Sequence, residues 1–240
     1  MKCPNCRKEN SQVTKECPDC GIIYSEFKKN KEQVFDYEYS EEPGFFYQLF
    51  LGVPETTDSI IFVFRIIFFS IFFLWGVKFI FTPLQTNYAG ESLWHLVNLP
   101  FHETGHIVFR PFGRVITSLG GSLLQLLMPL ICIGVFLIKT KDTFAAAFTL
   151  WWFGENFMDI APYIDDARAL VMPLVGGNTG QTSPYGFHDW EFILTETGLI
   201  RFDHTIAWLS YKTGALLMIL SFVWSGYLLY KMFKNLKTSQ

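Results

Sequence analysis

Between Ile60 and Phe81 the chain reads IIFVFRIIFFSIFFLWGVKFIF, an apolar run interrupted by Ser70, Gly76 and two basic residues, Arg65 and Lys78. At about 1.5 Å per residue a helix of this run reaches across the roughly 30 Å hydrocarbon core of a bilayer. It has no polar face to turn toward water, which excludes an ordinary soluble domain. Arg65 and Lys78 lie toward its ends, where long basic side chains can snorkel. Four more stretches carry the same argument less strongly: Leu93–Phe109, Val115–Ile138, Thr143–Ile160 and Ile206–Tyr230. Val171–Val175 is too short to cross. The expected fold is mainly α, a polytopic membrane helical bundle of four to five spans over residues 59–240, preceded by a small N-terminal cysteine-rich segment.

That segment is expected over residues 1–27. Cys3-Pro-Asn-Cys6 and Cys17-Pro-Asp-Cys20-Gly21 are two Cys-x-x-Cys pairs. Each pair fits a tight turn whose amides point at the sulfurs, and two such knuckles complete a tetrahedral sulfur site. A segment this short cannot bury a core, so metal would supply most of its folding free energy. The pattern resembles zinc ribbons. Two disulfides are the competing reading. Met1 is followed by a polar, cysteine-rich segment and not by a leader, so the ribbon is expected in the reducing cytosol, where zinc is favoured.

Nucleic acid is not the expected partner. Lys28, Lys29 and Lys31 are balanced by Glu26, Glu32 and Asp36, and a net charge of −3 gives no basic face. A structural role, or docking of a cytosolic protein, fits the ribbon better. Residues 28–58 read as a linker, acidic from Glu38 to Glu42 and broken at Pro43-Gly44 and Pro54.

Within the second apolar stretch stands His102-Glu103-Thr104-Gly105-His106. Histidines four apart on a helix project from one face and can share one metal, and the intervening Glu103 is placed as general base to a water. Asn98 is expected to cap this helix with Pro100 in its first turn, leaving His95 outside it and not a ligand. Ionisable groups inside an apolar segment are costly, which makes this cluster a functional candidate.

An HExxH motif in an apolar helix of a small multispanning chain resembles the site-two protease class of intramembrane zinc metalloproteases. The similarity runs from Leu93 to Arg168. Gly121-Ser-Leu-Leu-Gln125 has the spacing of that family's Gly and Asn, with Gln in place of Asn, and Gly154-Glu-Asn-Phe-Met-Asp-Ile-Ala-Pro-Tyr-Ile-Asp-Asp166 is similar to its Asn- and Pro-rich segment ending in a ligand Asp. The family's Asp-Gly ending is absent, since Ala167-Arg168 follows.

The resemblance implies a catalytic zinc on His102, His106 and an Asp, with Glu103 catalytic and with Gln125 and Asn156 touching a membrane-protein or peptide substrate. Glu155 and Asn156 can equally be hydrogen-bond partners between helices. Asn156, Asp159, Tyr163 and Asp166 would form one polar stripe on a continuous helix. Asp166 ranks first as third ligand, with Asp159, Asp165 and His188 as alternatives. The Gly/Pro-rich loop 173–189 is placed to gate the site. The alternative function is a non-catalytic membrane scaffold whose zinc ribbon recruits a cytosolic partner.

Overall fold

The computed structural model describes residues 2–3, 5–8, 15–25 and 44–238. Most of the expected linker, including the charged stretch 26–42, lies outside the described residues. Two compact units separate, Met1–Tyr47 and Gln48–Gln240. Among the described residues there is no β-strand; isolated bridges join Glu16 to Ile23 and Pro173 to Thr179.

The helices are α1 (Phe45–Leu51), α2 (Ser59–Phe81), α3 (Leu93–Phe109), α4 (Arg114–Gly134), α5 (Thr143–Asp165), α6 (Asp189–Glu196) and α7 (Asp203–Thr238). A π-helical turn, Val135–Thr140, prolongs α4. Asp58 starts α2 by accepting from the amides of Ile60 and Ile61 at 2.7 and 3.2 Å. The start of α3 differs from the expected one. Ser92 is its cap, accepting from His95 N at 3.3 Å, and Asn98 and Pro100 lie inside the helix. The reason is that the Asn98 carboxamide is bound by buried acids of α5, so it is not free to cap, and Leu93 and Trp94 continue the apolar face of the helix a turn earlier.

Three helices among the described residues are long and apolar enough to cross a membrane: Ser59–Phe81, Arg114–Thr140 and Ile200–Leu236. This is fewer than the four to five expected. At 17 residues α3 spans only about 26 Å, and it carries three histidines and a glutamate. The 23 residues of α5 suffice in length, but Glu155, Asn156 and Asp159 break its apolarity and are buried against protein. By contrast α2 is apolar all round, with Phe64 and Leu74 still 68% and 69% exposed, as suits a lipid-facing helix. Its ends are tied: Arg65 Nη2 meets Asp142 Oδ2 at 2.9 Å and the Lys78 ammonium lies 4.5 Å from the Tyr88 ring centroid.

The centre of the bundle is the α5–α7 pair, where small residues let the backbones approach. A Cβ on Gly154 would stand 2.8 Å from Gly214 O, and a Cβ on Gly214 would meet the Gly154 carbonyl oxygen and the Met158 side chain. Ser210 and Ser221 of α7 donate to Phe157 O and Ala147 O of α5 at 2.7 and 2.6 Å. This is the small-residue contact with interhelical hydrogen bonds that serves membrane helices in place of a hydrophobic drive. An aromatic layer of Phe72, Trp75, Trp94, Phe148 and Trp151 closes α2 and α3 onto α5. It holds α3 in the position its site needs.

Candidate metal centres

In the N-terminal unit the two knuckles repeat one backbone pattern. Cys3 N donates to Lys8 O and Arg7 N to Cys3 O, both at 2.9 Å, while Cys17 N donates to Ile22 O at 2.9 Å and Gly21 N to Cys17 O at 2.8 Å. Arg7 and Gly21 both take left-handed φ, 63° and 70°. The turns thus bring Cys3 Sγ to 3.7 Å from Cys20 Sγ and Cys6 Sγ to 3.8 Å from Cys17 Sγ. Metal–sulfur bonds of about 2.3 Å in a tetrahedron put neighbouring sulfurs about 3.8 Å apart. No disulfide joins the four cysteines, and together they could hold a metal ion. Lys8 Nζ meets Asp19 Oδ1 at 2.9 Å across the two turns; this bond raises the Lys8 pKa, and its exposure makes it a minor contributor to stability.

The second unit forms another such group from two helices. His102 and His106 lie one turn apart on α3, and Asp189 opens α6. The carboxylate oxygen Oδ2 of Asp189 is 3.3 Å from His102 Nε2 and 3.3 Å from His106 Nε2. For metal–nitrogen and metal–oxygen bonds of about 2.0–2.2 Å, a tetrahedron requires about the same separation, roughly 3.3 Å. The three residues could hold a metal ion. Two imidazoles and one carboxylate are a donor set that leaves a fourth position open for a reactant.

Each imidazole is held from behind. His106 Nδ1 faces the Thr117 carbonyl at 2.9 Å, an acceptor, so the ring proton belongs on Nδ1 and the lone pair on Nε2. His102 Nδ1 faces Gln125 Oε1 at 3.0 Å. Both rings therefore turn Nε2 toward the Asp189 oxygen at ion-pair distance, and a metal ion bound there would take the place of the proton between them. Close packing of α3 on α4 makes it possible. A Cβ on Gly121 would sit 2.5 Å from His102 Nε2 and 2.8 Å from His106 Cε1, and one on Gly105 would run into the Gly120–Gly121 backbone. The glycine inside the His-Glu-Thr-Gly-His motif is thus what lets the two helices touch.

Asp189 is placed by its loop. Tyr163 Oη accepts from Asp189 N at 2.9 Å and lies 3.3 Å from Asp189 Oδ2. His188 caps α6, its Nδ1 accepting from Glu191 N at 3.1 Å, and its Nε2 approaches Asp166 Oδ2 at 3.3 Å. Arg114 lies over the Phe192 ring, 4.7 Å from its centroid, pinning α6 to α4.

Several expected site residues stand elsewhere. Asp166, first choice for third ligand, accepts from Val171 N and Met172 N at 3.0 and 2.9 Å and pairs with His188, so it anchors the loop. Asp165 pairs with His204 at 2.6 Å. Asp159 accepts from Gln125 Nε2 at 2.7 Å and contacts His95 Nδ1 at 2.8 Å. Gln125, 3% exposed, is used at both ends of its amide and has nothing left for a substrate. Asn156 is fully buried and donates to Trp152 O at 2.9 Å. His95, expected to precede the helix, lies within it. Asp189 itself escapes the sequence reading, although His188 beside it does not. The available signal is an acid in the first turn of a helix that follows a Gly/Pro-rich loop, which local spacing cannot connect to His102.

No protein-family model, no curated protein and no solved structure matches the chain.

Proposed function

We propose that the chain is an intramembrane zinc metallopeptidase, similar in design to the site-two proteases, that hydrolyses a peptide bond of a membrane-associated protein or peptide. The observation that carries this reading is the meeting of His102 Nε2, His106 Nε2 and Asp189 Oδ2 at 3.3 Å contacts beside an acid on the same helix. Bound zinc would supply Lewis-acid polarisation of the scissile carbonyl and of a water near neutral pH. The protein's part is positioning and proton transfer. Glu103 follows the first histidine, is exposed, and lies within electrostatic reach of His106 and Tyr163. No hydrogen bond or ion pair occupies it among the described residues. It takes a proton from the attacking water and delivers it to the leaving amine. Tyr163 keeps Asp189 in line.

On this reading the protein is a multi-pass membrane protein whose ribbon, holding a structural zinc through Cys3, Cys6, Cys17 and Cys20, faces the cytosol and docks a protein there. The test is Glu103→Gln, assayed on a membrane-embedded reporter with metal content measured alongside. Cleavage lowered about 10²–10⁴-fold at unchanged metal content supports general-base hydrolysis. Equal cleavage by both proteins removes Glu103 from the mechanism. No cleavage by either, with cellular function lost only on ribbon cysteine substitution, favours a membrane scaffold.

A further inference from the structure

We propose that Asp159 is a positioning residue for the membrane metal centre: acting through Gln125, it sets which nitrogen of His102 is offered to the metal. The inference rests on the reading of His102 as a ligand. A histidine presents one lone pair, and which ring nitrogen carries it depends on what the other nitrogen meets. Opposite Thr117 O the matter is settled for His106, because a backbone carbonyl can only accept. Opposite Gln125 it is not, because a carboxamide presents an acceptor on one side and a donor on the other. With Oε1 toward His102, Nδ1 holds the proton and Nε2 is free. With the amide turned over, Nδ1 accepts, Nε2 is protonated, and the ligand is lost.

A chain of one-way hydrogen bonds selects the first arrangement. The Trp152 indole, which only donates, bonds to Asn98 Oδ1 at 2.8 Å. Asn98 Nδ2 is thereby directed at the acids of α5, 2.8 Å from Glu155 Oε2 and 3.0 Å from Asp159 Oδ2. Asp159 Oδ2 also accepts from Gln125 Nε2 at 2.7 Å, so it is an acceptor on both counts. The second oxygen, Oδ1, faces His95 Nδ1 at 2.8 Å. An acceptor on one side of Gln125 forces its oxygen to the other, where His102 Nδ1 stands at 3.0 Å. The Asp159 side chain is 1% exposed, so in the intact protein no water competes for these bonds.

A carboxylate at 125 cannot turn a donor toward His102. Moving the acid from 159 to 125, as Asp159→Ala with Gln125→Glu, therefore keeps an acceptor against Nδ1 without Asp159. Co²⁺ affinity of the full chain is measured for the equivalent that His106→Ala abolishes. Asp159→Ala is expected to weaken it about 10–100-fold, and the double variant to restore it to within about three-fold. ¹⁵N spectra of histidine-labelled, metal-stripped protein are expected to show His102 protonated on Nδ1 in the wild type and the double variant, and on Nε2 in Asp159→Ala. Unchanged affinity in Asp159→Ala overturns the proposal. So does weakening that the double variant fails to reverse, which marks a purely structural acid. If Asp159→Ala does not fold, the wild-type spectrum decides: His102 as the neutral tautomer protonated on Nε2, with Nδ1 bare, overturns it. Loss of no cobalt in His106→Ala instead removes the metal centre itself.

Discussion

His106 Nε2 and Asp189 Oδ2 lie 3.3 Å apart, joining α3 to the first residue of a short helix that follows a long loop. The contact exists because Arg114 and Phe192 hold α6 on α4 while Tyr163 grips the Asp189 amide. It puts Asp189, which the sequence reading passes over, in the place expected of Asp166.

Asp189→Asn is expected to lose the membrane metal equivalent, with a larger effect than the about 10–100-fold typical of an outer partner. Asp166→Asn is expected to retain the metal stoichiometry while exposing the amides of Val171 and Met172, which Asp166 now binds. Elemental analysis and hydrogen exchange separate the two. Metal lost in Asp166→Asn and kept in Asp189→Asn would reverse the assignment.

Gly121→Ala is expected to abolish metal binding at the same centre. The new methyl would meet His102 Nε2 at 2.5 Å and His106 Cε1 at 2.8 Å, too close for either ring to stay. Gly226→Ala, where nothing lies within 4 Å of the added carbon, serves as control and should raise stability slightly, by up to about 1 kcal/mol in a helix interior. Isothermal titration with Co²⁺ on both variants checks this; equal binding would show that α3 and α4 can separate without cost.

Gly154→Ala is expected to destabilise the membrane unit. Its Cβ would stand 2.8 Å from Gly214 O, 3.1 Å from Leu217 Cβ and 3.1 Å from Met218 N, with backbone on the facing side unable to yield. Overpacking of this kind costs about 1–3 kcal/mol. Thermal unfolding in detergent measures it, and an unchanged midpoint would mean that α5 and α7 are not tightly held at this crossing.

Cys6→Ser is expected to remove one metal equivalent and to leave the helical content by circular dichroism nearly unchanged. A segment as short as the ribbon depends on its metal to fold, while the second unit has an apolar core of its own. A fall in helicity matching loss of the bundle would show the two to be one cooperative structure.

The apolar run of α2, the paired cysteines and the His102–His106 spacing were determined by the sequence alone, because each is a local pattern read from neighbours along the chain: hydrophobicity over one helix, two residues within one knuckle, one turn of α3. Helical character followed for the same reason. The number of helices long and apolar enough to cross a membrane did not, because the bounds of α3, 17 residues, are set by the turns that flank it, and α5 carries Glu155 and Asp159 among its apolar residues. Nor did the third member of the metal group. Asp159, Asp165, Asp166 and Asp189 are alike in sequence, and their uses diverge only once α3, α4, α5 and α6 meet: one binds Gln125, one His204, one the loop amides, and one the two imidazoles. Glycines at 105 and 121 decide that meeting by letting the helices come close enough for the two imidazoles to converge, a property of the space between helices that no spacing along the chain encodes.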